Sequence, residues 1–334
     1  MKIYTIKDIA RLSGVSVTTV SRVLNHRPDV NPETRERVER IMRDCHFVGN
    51  ANARGLKQAD SDMVAVILRG RLNPFLSALA EAILQRTISS DFTYLTEFID
   101  EKADEFQAAL RLYHEKRVKG FIFVGSRIDE RAKVMDGVDV PMVFATVSTA
   151  GTLLERASSV SIDDRAMSRE VIEALLRSGH RRIAVFGGDR TGGDCHAMRY
   201  LGVLDAFSAL GCTFDESRYV ETRFSLSDAY DTARTFFACK SDTTAVFCMA
   251  DTVAMGVCRA LNDIGRRIPA DVSVVGFDGI ELGKYFVPRL TTVAQPVDEI
   301  AGQTVNVLTD MLQNGAPPRH VVVSSTLLMR ESFC

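Results

Sequence analysis

A chain of 334 residues, 46% hydrophobic and 25% charged, has an ordinary globular composition and enough length for two or three cores. No apolar run reaches the roughly 18 residues of a membrane span and the N-terminus lacks a charged-then-apolar leader, which excludes membrane classes and sets a cytoplasmic expectation. The net charge of -2 hides a basic end, since residues 1–60 hold 11 Lys and Arg against 7 Asp and Glu; a basic arm on an acidic body suits a nucleic-acid partner.

From Thr5 to Asn25 the chain reads TIKDIARLSGVSVTTVSRVLN. Ile6, Ile9, Ala10, Leu12, Val15, Val20, Val23 and Leu24 recur at helical spacing, so two short helices can pack their apolar sides together, with Gly14 at the reversal. Thr5 and Ser16 each precede a helix and carry a hydroxyl able to accept a free amide at its start. Outward on the second helix remain Val17, Thr18, Thr19, Ser21 and Arg22. This short polar face ends in a guanidinium and suits the base edges and phosphates of a major groove. A helical hairpin inside a globular enzyme would show the same periodicity. After a loop, Asn31 can cap a third helix with Pro32 at its first position, and Val38, Ile41 and Met42 share one face that closes a small core.

Residues 48–62, VGNANARGLKQADSD, are small and polar around Leu56, which lies between Arg54 and Lys57 and within reach of a possible short helix over 50–56. The leucine either anchors a linker to a domain or wedges between base steps from a minor groove, with its flanking cations on phosphates. From Met63 the pattern becomes β-α alternation. Strand-like runs cover 63–68, 92–99, 119–125, 141–146, 182–188, 244–249 and 272–278; helical patterns cover 74–88, 103–117, 165–178, 198–210, 226–239 and 252–264. Continuous apolar strands between amphipathic helices call for parallel sheets covered on both faces, arranged as two lobes, with ligands beyond the carboxyl ends of the strands.

No GxxxxGK[ST], GxSxG or HExxH motif occurs, and the six histidines are dispersed, so an enzyme has no nucleophile, base or metal set here. The segment GGDRTGG at 187–193 follows a strand but lacks a phosphate-binding lysine and reads as a loop at a cleft rim. Seven cysteines without a CxxC pair are expected to be free and mostly buried. No cofactor or metal is expected.

These segments, TIKDIARLSGVSVTTVSRVLN, VNPETRERV and NANARGL, followed by NPFLSAL, VSIDD, SGHRRIAVFGG, MRYLG, IPADVSVVGFD and YFVPRLTTVAQP, resemble the lactose-repressor/galactose-repressor (LacI/GalR) family along essentially the whole chain. The resemblance implies an N-terminal three-helix helix-turn-helix DNA-binding domain (1–48) and a hinge helix (49–61). An α/β two-lobed, periplasmic-binding-protein-like regulatory domain with parallel sheets (62–334) would follow. Lobe one would hold about 62–161 plus 293–323, and lobe two about 162–292 plus 324–334. Only RESFC follows the last strand, so no tetramerisation helix is expected.

Carried over from the family, Val17 and Thr18 would choose operator bases and Arg22 would read guanine, while Thr5, Ser16, Thr19, Ser21 and Asn25 would hold phosphates. Guanidinium forks on guanine and apolar contacts on thymine methyl groups fit those residue types. Asn50, Ala53 and Leu56 match the hinge helix, where paired leucines at the Leu56 position pry open a central base step. The effector pattern points to Asn73, Phe75, Asp163, Arg199, Phe224 and Asp278, a carboxylate, guanidinium and aromatic set suited to a polyhydroxylated ligand. Where many relatives have Asn-Asp and a second Asp, this chain has Ala250-Asp251 and Gly279; FATVS lacks a frequent Asp-Arg. The resemblance thus implies a non-enzymatic, homodimeric regulator, a repressor, that binds a palindromic double-stranded operator under control of a small-molecule effector, a sugar. A nucleoside, another metabolite or a protein co-regulator could replace the sugar, and a sugar-binding module without DNA function is the remaining alternative.

Overall fold

A computed structural model describes residues 6–24, 27, 30–45, 62–70, 73–88, 90–191 and 195–334, the side chains of 6, 7, 43 and 44 excepted. The chain forms two units, Met1–Ser61 and Asp62–Cys334.

In the smaller unit, α1 (Ile6–Ser13), α2 (Val17–Leu24) and α3 (Pro32–Asp44) enclose Ile9, Ala10, Val20, Val23, Val30 and Val38. Each fully buried Val or Ile contributes roughly 1.5–3 kcal/mol, so this short list has little to spare. Leu12, expected on the apolar side, is instead 49% exposed. Gly14 takes φ +66 between α1 and α2, a left-handed conformation in which a side chain is strained. The Ser16 hydroxyl accepts from the Thr19 amide at 3.1 Å, and Asn31 Oδ1 accepts from the Glu33 amide at 2.9 Å, so both helix starts are capped by side chains.

The larger unit contains two six-stranded sheets. The first sheet combines β1 (Met63–Arg69), β2 (Thr93–Ile99), β3 (Gly120–Val124), β4 (Met142–Ala145), β5 (Ser158–Ser161) and β11 (His320–Val322) in the order β11-β5-β4-β3-β1-β2. All its pairings are parallel. The second combines β6 (Ile183–Gly187), β7 (Tyr219–Glu221), β8 (Ala245–Cys248), β9 (Ser273–Asp278), β10 (Thr291–Ala294) and β12 (Thr326–Leu328) in the order β12-β10-β9-β8-β6-β7, with β12 antiparallel to β10. Parallel strands need crossovers, which α4 (Pro74–Arg86), α5 (Glu105–Lys116), α7 (Cys195–Ala209), α8 (Leu226–Cys239) and α9 (Asp251–Asp263) supply. The chain passes from lobe to lobe three times, between β5 and α6 (Asp164–Arg177), between β10 and α10 (Val297–Asn314), and between β11 and β12.

Strands buried on both faces explain the near-continuous apolar runs, such as Val64 to Leu68, each at 0% exposure. A single apolar cluster reaches from Val64 and Leu79 in the first lobe to Val203 and Phe277 in the second. On the other face of the first sheet, the rings of Phe123 and Phe144 stack with centroids 4.5 Å apart. Only Cys248 and Cys258 among the cysteines are buried. The expectation of mostly buried thiols is therefore corrected: Cys212, Cys239 and Cys334 sit on solvent-facing segments. Among the described residues no helix is long and apolar enough to cross a membrane.

Candidate nucleic-acid interface and ligand cleft

Burial of Val20 and Val23 rotates the opposite side of α2 outward, leaving Val17, Thr18 and Arg22 exposed. Thr18 and Arg22 are four residues apart and share a helix face, with Val17 beside them. Ser21 is half-buried, and the Ser16 and Thr19 hydroxyls lie 2.9 Å apart at the start of the helix. The surface thus combines a methyl-bearing pair, a guanidinium and hydroxyls around a helix N-terminus, a set able to contact base edges and phosphates together. Thr5, Asn25, Asn50, Ala53 and Leu56 lie outside the described residues.

In the larger unit a cavity of about 900 Å³ lies at the carboxyl ends of the strands, between the two sheets. Asn73 enters it as the cap of α4, its Oδ1 accepting from the Phe75 amide at 2.9 Å and the Leu76 amide at 3.4 Å. Phe75 follows in the lining, 4% exposed. Arg199 projects from α7 and is 4% exposed. Its Nε donates to Asp164 at 2.7 Å, its Nη1 donates to the Met249 carbonyl, and its guanidinium lies 3.6 Å from the centroid of the Phe277 ring. Asp278 Oδ1 stands 3.8 Å from that guanidinium and accepts from Gln295 Nε2 at 2.9 Å. Phe224 completes the wall, its ring centroid 4.3 Å from His196.

Asp163 is not part of this group. It is exposed and caps α6 by accepting from the Ala166 amide at 2.9 Å, while the next residue, Asp164, turns inward to Arg199. The helix start takes one acid of the Asp-Asp pair and the buried Arg199 guanidinium takes the other. Of the expected cleft residues, Asn73, Phe75, Arg199, Phe224 and Asp278 line one cavity.

Two buried acids share one cation here. Burial raises Asp278 to about 7 against the opposing pull of Arg199 and Gln295, and burial also raises Asp164 despite Arg199. Burial opposes the charge on Arg199, but Cys195, Asp164 and Asp278 outweigh it and hold the guanidinium protonated. Asp278 has φ 116 and Thr146, also in the lining, has φ 84. Two side chains in strained backbone at strand ends are the kind of feature that the surrounding structure sustains at functional sites.

Behind Asp278, Asp251 is buried and accepts from Thr292 Oγ1 at 2.6 Å and the Ile280 amide at 2.8 Å. A Cβ at Gly276 would lie 2.1 Å from its Oδ1, and a Cβ at Gly279 would lie 2.6 Å from the Ala294 Cα. A side chain at Gly279 would therefore displace the Ala294 backbone in this packing. Burial pushes Asp251 up to about 8, and burial holds Glu105 at about 7. A carboxyl raised in the folded state contributes most below its unfolded pKa, and that contribution is lost as pH rises through the folded value. Thermal stability is expected to fall between about pH 4 and pH 8; Asp251→Asn should flatten part of this slope, and an unchanged slope by calorimetry would refute the assignment.

Sequence reasoning missed the residues that connect the lobes across the cavity. Arg127 Nη2 donates to Asp189 Oδ2 at 2.7 Å, and Arg223 lies 3.6 Å from Glu101. The Thr191 hydroxyl and amide, with Arg127, hold Asp189 at about 2. From below, buried Glu105 accepts from the Arg127 amide at 2.8 Å and fixes the turn that presents Ser126 and Arg127. The glycine-rich segment at 187–193 was the available signal, since Gly188 and Asp189 do line the cleft.

Comparison with known proteins agrees with both units. Residues 5–50 match the family described as bacterial regulatory proteins, lacI family, and residues 172–333 match a periplasmic binding protein-like domain. The chain is 31% identical to the HTH-type transcriptional regulator MalR of Clostridium butyricum, over 98% of both chains. It is similar to a solved transcriptional regulator CelR–cellobiose complex (26% identity, TM-score 0.74, covering 98% of this chain and 99% of that one). It is also similar to the lac repressor dimer bound to operator and the anti-inducer ONPF (25% identity, TM-score 0.79, 99% of both chains). A capped helix-turn-helix, followed in the chain by a two-lobed unit with a cavity between its sheets, together with these matches over nearly its full length, places the chain in the lacI family of DNA-binding transcriptional regulators.

Proposed function

We propose that this chain is a cytoplasmic repressor that binds a pseudo-palindromic operator as a homodimer and is controlled by a polyhydroxylated small molecule, a sugar, in the cleft. The observation that carries this reading is the buried Arg199 with Asp278 at the floor of a cavity of about 900 Å³, the guanidinium held from behind by Asp164, on the same chain as a lacI-type headpiece. Paired hydrogen bonds from a guanidinium and carboxylate, with Phe75 and Phe224 beside them, fit sugar hydroxyls and ring faces. The cellobiose held by CelR and the operator held by the lac repressor dimer support the two halves of the reading.

In this proposal Val17, Thr18 and Arg22 read bases, Thr5, Ser16, Thr19, Ser21 and Asn25 hold phosphates, and Asn50, Ala53 and Leu56 form the minor-groove hinge. Residues 1–48, 49–61 and 62–334 serve as headpiece, hinge and regulatory domain. Asn73, Phe75, Arg199, Phe224 and Asp278 hold the effector, and its unequal affinity for two lobe arrangements shifts operator affinity. A salt-titrated operator assay with and without sugars tests this; no preference over random DNA would overturn the operator reading, and sugar-independent affinity would overturn the effector reading.

Arg22→Ala is expected to cost about 1–3 kcal/mol of discrimination at one base position, if it reads guanine as proposed. Exchanging Val17 and Thr18 together should change which operator is preferred. A uniform loss over all sequences would instead mark these positions as phosphate contacts.

A further inference from the structure

We infer that the cleft takes an elongated carbohydrate of at least two rings, the outer ring seated on Phe98; this rests on the sugar reading above. The cavity is longer than the group of residues at its floor. Its lining runs in the first lobe from Thr146 after β4 to Phe98 in β2, and in the second from Asp278 in β9 to Glu221 in β7. Each path crosses three strand spacings, so each covers about 14 Å at ~4.8 Å per strand. The volume of about 900 Å³ lies in the upper part of the roughly 300–1,000 Å³ range of small-molecule pockets. A single sugar ring held by Arg199 and Asp278 would leave the β2 and β7 end unfilled.

That outer end has its own recognition chemistry. Phe98 lines the cavity yet is 57% exposed, whereas its neighbour Ile99 is 9% exposed. Strand alternation puts the two on opposite faces of the edge strand β2, Ile99 in the cluster around Phe106 and Phe98 on the face of its strand partner Leu68. An aromatic face beside a polar rim suits the C–H face of a sugar ring, whose hydroxyls then reach the rim. The rim is Glu101 with Arg223, 3.6 Å apart and drawn from the two edge strands' following segments. The pair offers both a donor and an acceptor to sugar hydroxyls. Arg69 fixes the same segment by donating its Nε to the Glu101 carbonyl at 2.8 Å, which holds the rim in place before any ligand arrives.

The test uses the full-length protein with glucose, galactose and xylose against cellobiose, maltose, lactose and xylobiose, by thermal shift and calorimetric titration. At least one disaccharide is expected to bind about tenfold or more tightly than its constituent monosaccharide, as burial of a second ring face on Phe98 would give. Phe98→Ala should erase that advantage and leave monosaccharide affinity unchanged, while Phe98→Trp should retain it. A monosaccharide that binds as tightly as every disaccharide containing it overturns the elongated-ligand inference and leaves the sugar reading standing. An advantage that survives in Phe98→Ala overturns the role of the ring. Stabilisation by a nucleoside such as inosine with none by any sugar overturns the sugar reading itself.

Discussion

Replacing Arg199 with methionine is expected to destabilise the larger unit by about 3–5 kcal/mol near pH 8, the range for removing one partner from a buried ion pair. The variant would leave Asp164 and Asp278 buried beside each other with no cation between them. Asp278 already sits at about 7 with Arg199 present, so losing the guanidinium drives both carboxyls further up. Asp278, at about 7 in the wild type, is already protonated at pH 5.5, so the variant loses little relative to the wild type there and progressively more as pH rises through 7. Urea midpoints of the variant should therefore lie near the wild type at pH 5.5 and far below it at pH 8. Adding Asp278→Asn should recover part of the loss, because one of the orphaned acids is gone. Equal losses at both pH values would show that the guanidinium acts by packing on Phe277 rather than by charge.

The second large effect lies where α6 and α7 cross. A Cβ at Gly202 would meet the Arg165 carbonyl oxygen at 2.2 Å and the Ser168 Cβ at 2.9 Å. Both neighbours belong to α6, and backbone cannot move aside as a flexible side chain can. Gly202→Ala is expected to cost about 1–3 kcal/mol by overpacking, and Gly202→Val more. The expense is local in origin but reaches the cleft, because Asp164 opens α6 and Arg199 lies one turn before Gly202 on α7. Separation of the helices stretches the 2.7 Å Asp164–Arg199 bond, so ligand affinity should fall along with stability. Gly302→Ala in α10 is the control: its nearest neighbour would be the flexible Arg86 guanidinium at 3.6 Å, and the change should stabilise by about 0.5–1 kcal/mol. A neutral Gly202→Ala in chemical denaturation would show that the helix pair tolerates a wider spacing.

Most strands legible in the sequence were the ones buried on both faces, where apolar residues run without interruption; the edge strand β2, of which only Ile99 is buried, was legible from its aromatic and aliphatic content. Those missed carry their burial differently. In β5 the sequence SSVS is polar, yet Ser158, Ser159 and Ser161 are buried. Ser158 accepts from the Arg319 amide and Ser159 lies 2.9 Å from His320 Nδ1, partners some 160 residues away that no local pattern announces. The short strands β7, β11 and β12 each have three residues, too few to display a period. For the cleft, the family resemblance pointed to Arg199 and Asp278, which line the cavity, and to Asp163, which caps α6 outside it. The ion pairs Arg127–Asp189 and Glu101–Arg223 were invisible for a different reason: each joins residues from separate lobes, and only the meeting of the two sheets' strand ends brings them together.

The three passages of the chain between the lobes have a further consequence for how the regulatory unit breaks. A protease that cuts only the first passage, between β5 and α6, yields an N-terminal piece with five strands of the first sheet and a C-terminal piece that still contains β11 of that same sheet. The nicked halves remain interlocked through β5–β11 pairing and through α10 against α4. Cleavage there would show on a denaturing gel while the native particle keeps its size.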